Sequence, residues 1–166
     1  MAEAGLLAPD DRVELIEGEI IDMAAIGSRH AACVKRLAKL FMTRLGERAV
    51  VGVQDPVRLS DLSEPQPDLA VLRDRSDFYA SAHPGPGDVL LVVEVADTTL
   101  AWDRNVKGPL YGRTGVREVW IVDLGAEVVE VLTGPGAQGY ADVRQAHRGE
   151  SLEIAGITVD VDEILG

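Results

Sequence analysis

Glu94 ends the apolar run Val89-Leu90-Leu91-Val92-Val93, and Asp68, directly after Pro67, opens the run Leu69-Ala70-Val71-Leu72. A carboxylate embedded in such a run loses its hydration and must meet a cation or take up a proton. If the two strands are neighbours, both acids meet at one sheet edge, where their repulsion raises one pKa or is relieved by a divalent metal. Ligation by oxygen alone favours Mg²⁺ or Mn²⁺ over zinc. Asp103, Lys107 and Tyr111 follow at intervals of four, so a helix there puts them on one face, a loop away from Glu94. An ammonium group beside a metal-bound water stabilises charge developing on a phosphate, which is what metal-assisted phosphodiester hydrolysis requires.

Plainer roles are open to the same residues. A carboxylate at a strand end can be solvated or bonded to loop amides, and Asp103 with Lys107 can be a surface pair worth under about 1 kcal/mol. Cys33 and Trp120 read as core, and His30 as a surface residue at the start of a helix. Basic residues concentrate between Ala25 and Arg48, which hold six Lys or Arg against one Glu. Arg29, Lys35, Arg36 and Lys39 gather opposite Val34, Leu37 and Phe41 on a helical wheel. That stripe is the chain's one candidate track for a phosphate backbone, and equally an ordinary solvated face.

The elements that must carry these groups follow from patterning. Val13 to Met23 reads as a hairpin around Glu17-Gly18. Ser28 is placed to N-cap a helix running to about Leu45, with Gly46 ending it. Extended segments are expected at Val50 to Val53, Val57 to Leu59, Leu69 to Leu72 and Val89 to Val95, the last apolar on both faces as in a central strand. A second helix is expected from Asp103 to Arg113, kinked or delayed by Pro109, which has no N–H to donate. Val116 to Asp123 and Glu127 to Leu132 read as strands joined at Gly125, and an alternating tail begins at Leu152. The order is that of an α/β sandwich in one domain.

Composition narrows the function. The chain has 166 residues, 46% of them apolar, and a net charge of −12, which supports a sizeable core and excludes a protein that holds nucleic acid by bulk charge alone. No apolar run is long enough to span a membrane, and the N-terminus lacks a secretory pattern, so a cytoplasmic location without membrane partners is expected. The single Cys33 and three scattered histidines offer no zinc motif.

The segments VELIEGEI, GSRHAACVKRL, Pro67-Asp68, VVEVADTT and DRNVKGPLYGRTGVREVWIVD, with the closing GITVDVDEIL, together resemble the Uma-two family of endonucleases. That family was formerly a domain of unknown function and lies within the PD-(D/E)xK restriction-endonuclease-like superfamily. The resemblance implies an α/β fold with a mixed central β-sheet flanked by helices, an N-terminal hairpin and C-terminal strands, over a single nuclease domain of residues 1–166. It further implies a Mg²⁺-dependent (or Mn²⁺-dependent) endonuclease that hydrolyses DNA to 5′-phosphate and 3′-hydroxyl ends. Asp68 and Glu94 would be catalytic metal ligands, with the Val95 carbonyl as a third. Ala96 stands where the superfamily usually places lysine, and Lys107 would replace it, positioned by Asp103 or Tyr111. Glu19 would supply an additional acid, and DNA would contact Arg29, Lys35, Arg36 and Lys39. A homodimer is compatible with the superfamily. Asp97, where relatives often carry serine, and the absent lysine at Ala96 keep a second reading open: a nuclease-fold module with weak or no activity and a binding or regulatory role.

Overall fold

Glu17 and Gly18 both adopt positive φ, +49° and +84°, as a two-residue hairpin turn demands. They join β1 (Val13–Ile16) to β2 (Glu19–Asp22) in an antiparallel pair. The structure, a computed structural model, describes residue 8 and residues 10–166. Helix α1 (Ser28–Leu45) buries Cys33, Val34, Leu37, Phe41 and Leu45, the stripe that its three- and four-residue spacing predicts. Gly27, rather than Ser28, occupies its N-cap, and Gly46 follows its last residue.

The central sheet contains β3 (Ala49–Val53), β4 (Leu69–Arg73), β5 (Val89–Ala96), β6 (Glu118–Asp123), β7 (Val128–Gly136) and β8 (Gly139–Ala146) in that spatial order. Every neighbouring pair is antiparallel except β5 and β6. A parallel pair needs a crossover. Here it consists of α2 (Leu100–Trp102), a π-helical turn over Asp103–Lys107, and α3 (Gly108–Thr114). A separate hairpin of β9 (Ser151–Ile154) and β10 (Ile157–Asp160) leads into α4 (Val161–Leu165). One face of the sheet packs α1, α4 and the last hairpin around Trp120, whose ring lies 6.0 Å from that of Phe41. The other packs α3 and Ile16 of the first hairpin around Val92, Val119 and Ile121.

Three expectations change. Val57 to Leu59 is not a strand: Val57 and Leu59 are buried, but their N–H groups donate to the carbonyls of Pro65 and Ser63 within one loop. Strand β8 is an addition to the expected elements: its middle residues, Val143 among them, are exposed and show no apolar alternation that would mark a strand. The second helix starts at Leu100 and passes Pro109 without a break. Gly108 N–H reaches back five residues to the Asp103 carbonyl, so the wider turn absorbs the register just before the proline. A Cβ at Gly108 would stand 3.0 Å from that carbonyl oxygen and 3.2 Å from Leu132 Cδ2, so a side chain there would crowd the turn.

Candidate active site

Leu69 of β4 faces Val93 of β5, and one further step of the same antiparallel register sets Asp68 against Glu94. Directly opposed residues bring their Cβ atoms within about 4.5–5.5 Å, so the two acids do meet at one end of the sheet. Asp68 Oδ2 accepts the Val95 N–H at 2.8 Å, and Oδ1 lies 3.0 Å from His30 Nε2. Glu94 Oε1 accepts the Tyr111 hydroxyl at 2.7 Å and lies 2.7 Å from Lys107 Nζ. The same ammonium donates to Glu14 Oε1 at 2.6 Å, which also accepts the Gln66 N–H at 2.8 Å. Asp103 Oδ2 accepts the Thr99 hydroxyl at 2.8 Å. Glu14, His30, Asp68, Glu94, Asp103 and Lys107 all line one cavity of about 420 Å³.

These charges are buried: Lys107 is 3% exposed, Glu94 and Asp103 4%, Glu14 5% and Asp68 8%. Four carboxyl groups therefore share one buried lysine. Burial pushes the Glu94 carboxyl well above its usual range, helped by Asp103, Asp68 and Glu14 and opposed by Lys107. Burial likewise lifts Asp103 to about 6. Burial alone would lower the Lys107 ammonium, but Glu94 and Glu14 outweigh it and hold it above the ordinary lysine range. The hydrogen bond from His30 to Asp68 raises the imidazole, against the opposing effect of burial. Lys107 is thus a fixed cation, suited to stabilising negative charge rather than to taking a proton.

The donor set suits a hard divalent cation. Among the described residues, no three His, Cys, Asp or Glu side chains converge tightly enough to hold an ion by themselves. Mg²⁺ is commonly held by one or two carboxylates, with water and substrate phosphate filling its other positions. Both side-chain contacts to Glu94 fall on Oε1, and each Asp68 oxygen has a further lone pair.

Several site residues lie elsewhere than expected. Glu19 is exposed on β2 beside the turn, and the hairpin's acid in the cavity is Glu14, further along the same face. Neither Asp103 nor Tyr111 holds Lys107 directly; Glu14 and Glu94 do, while Tyr111 holds Glu94. Lys107 is no surface residue, so the surface-pair reading fails. None of Arg29, Lys35, Arg36 and Lys39 lines the cavity. Arg29 donates to the Leu124 carbonyl at 2.8 Å and pairs with Asp97 at 3.3 Å, and Arg36 donates to the Leu165 carbonyl at 2.8 Å, while Lys35 and Lys39 are exposed. Glu14 and His30 touch the site's charged groups without having been expected there. Glu14 sits among Val13, Leu15 and Ile16 as Glu94 sits among valines, a signal that was there to be used. His30 gave none, since only the approach of α1 to the sheet end brings it to Asp68.

A family model described as a putative restriction endonuclease, Uma2, matches residues 3–162. The fold is similar to the crystal structure of a putative nuclease belonging to DUF820 from Anabaena variabilis, with a TM-score of 0.73 at 12% identity over 98% of this chain and 94% of that one. No curated protein matches significantly. At that identity the structural likeness establishes the restriction-endonuclease-like fold, while the family match spans nearly the whole chain, and the protein therefore belongs to the Uma2 family of nucleases.

Proposed function

We propose that the protein is a Mg²⁺-dependent endonuclease that hydrolyses phosphodiester bonds of DNA. The observation that carries this reading is the surplus of buried carboxylates around a single buried ammonium group. Such a cluster costs folding energy and is relieved by a divalent cation. Asp68 and Glu94, with the Val95 carbonyl, would hold the ion, which supplies a Lewis acid and lowers the pKa of bound water. Lys107, held between Glu14 and Glu94, lies beside them to neutralise charge developing on the phosphate. Tyr111 and His30 orient the two carboxylates. The ammonium on Glu94 also favours an active enzyme over a module that merely keeps the fold, because Lys107 supplies the charge that Ala96 cannot.

Purified protein incubated with labelled DNA and Mg²⁺ or Mn²⁺ tests the reading. Cleavage is expected with the wild type and is expected to be lost in Asp68→Asn and Glu94→Gln, with thermal unfolding showing both variants folded. Calorimetric titration should register Mg²⁺ binding to the wild type and not to Asp68→Asn. Metal-independent cleavage, or cleavage undiminished in both variants, would overturn the assignment.

A further inference from the structure

We propose that the cavity takes a single-stranded segment of polynucleotide, seating one nucleotide with its base against Trp102, and that intact duplex is a poor substrate. The inference deepens the hydrolytic reading above and takes its site from it.

Size is the first argument. A volume of about 420 Å³ falls near the lower end of the roughly 300–1,000 Å³ of small-molecule sites. It has room for one nucleotide rather than for a run of base pairs. The walls come from two chain segments, Ile21 to Gly27 after the first hairpin and Asp97 to Trp102 before the π turn.

Charge is the second. Asp22 lines the same cavity, as does Asp97, which pairs with Arg29 at 3.3 Å, so a second phosphate backbone lying across it would meet the acid at Asp22. Duplex binders depend on neutralising many phosphates with Lys and Arg. Here the one basic stripe lies outside the cavity, and its arginines hold carbonyl groups of Leu124 and Leu165. Arg12 is the exposed cation in the lining, enough for one strand and not for a tracked duplex.

The third is aromatic. Trp102 lines the cavity and is only partly buried, whereas Trp120 is fully enclosed in the core. Proteins that grip single strands set aromatic side chains against base faces, and such stacking tolerates any base. A duplex keeps its bases stacked on one another and offers no face to Trp102 unless one is extruded.

The test compares a short fluorescent oligonucleotide with a hydrolysis-resistant phosphorothioate backbone against its duplex of identical sequence, by anisotropy in Mg²⁺. The single strand is expected to bind roughly tenfold tighter or more. Trp102→Ala should weaken single-strand binding by roughly 5- to 100-fold, the range that base stacking spans. Trp102→Phe should restore most of it, which separates stacking from damage to the fold. With cleavable single strand, Trp102→Ala should raise KM and leave kcat nearly unchanged. Equal binding of duplex, no binding of either form, or indifference to Trp102→Ala each overturns the proposal. Cleavage that prefers duplex overturns it while leaving the hydrolytic reading intact. Single-strand binding that depends on Trp102 without any hydrolysis supports it and sinks the hydrolytic reading instead.

Discussion

Glu94 and Glu130 are equally hidden, each 4% exposed on a central strand of the same sheet, yet their surroundings are opposite. Glu130 of β7 meets one partner, Arg104, whose Nε donates to its Oε2 at 3.2 Å and whose side chain is nearly half exposed. That pair is balanced one to one and keeps its cation in contact with water. Glu94 shares a fully enclosed lysine with Glu14 and has Asp68 and Asp103 for neighbours. A balanced buried pair satisfies itself and has no call for a ligand. An unbalanced cluster is stable only in the company of something positive, and this lack of self-sufficiency is the physical mark of a binding site.

The comparison breaks most visibly in catalysis. Glu94→Gln removes a carboxylate from the surplus and should cut Mg²⁺-dependent cleavage by roughly 1,000-fold or more, while thermal unfolding shows its stability held or raised. Glu130→Gln should cleave as the wild type does. Equal losses in the two variants would mean that burial rather than imbalance marks the site. Lys107→Met gives the next largest effect, now in stability. It leaves Glu14 and Glu94 without their shared cation and should cost about 3–5 kcal/mol in denaturant unfolding at neutral pH.

Asp103 sharpens the comparison through pH. Its carboxyl is raised to about 6 in the folded protein against about 3.9 in an unfolded chain, so between those values the folded state binds more protons. Stability must then fall as pH rises from about 4 to about 6, and the penalty is complete above that, on the order of 3 kcal/mol. Asp103→Asn, which can still accept the Thr99 hydroxyl, should therefore be more stable than wild type at pH 8, with the advantage gone by pH 4. An advantage unchanged across that range would show that Asp103 is not held by an excess of acids.

Much of this architecture was legible in residues. The hairpin, α1 and the β4–β5 acids could be read because apolar spacing and a carboxylate misplaced in an apolar run are local signals. Glu94 attracted notice by ending LLVV, although Glu130 in VVEVL carries the same local pattern. What separates them, Asp68 across the ladder and the absence of a private arginine, is tertiary and has no signature along the chain. The π turn was hidden for a related reason. Pro109 suggested a break, and only the packing of Gly108 against Leu132 shows how the helix passes it. Parity does not separate the two hairpin acids, because Glu14 pairs with Ile21 and Glu19 with Ile16 on one face. Glu19 lies beside the turn and is exposed, whereas Glu14, two residues further from the turn than Ile16, is buried.

The smallest expected effect lies at the balanced pair. Glu130→Gln keeps the shape of the side chain and leaves Arg104 partly in water, so the loss should be about 1 kcal/mol and should shrink in high salt. Arg104 belongs to the π turn that also carries Lys107, which gives the same variant a second use. If the turn owes its shape to backbone packing around Gly108, loosening Arg104 leaves Lys107 on Glu94, and cleavage retains its wild-type rate and metal dependence. If the Arg104–Glu130 contact instead holds the turn in register, cleavage falls with stability and the two regions act as one. Measured side by side, cleavage rate and unfolding free energy for Glu130→Gln separate those cases, and the close approach of Gly108 to the Asp103 carbonyl predicts the first.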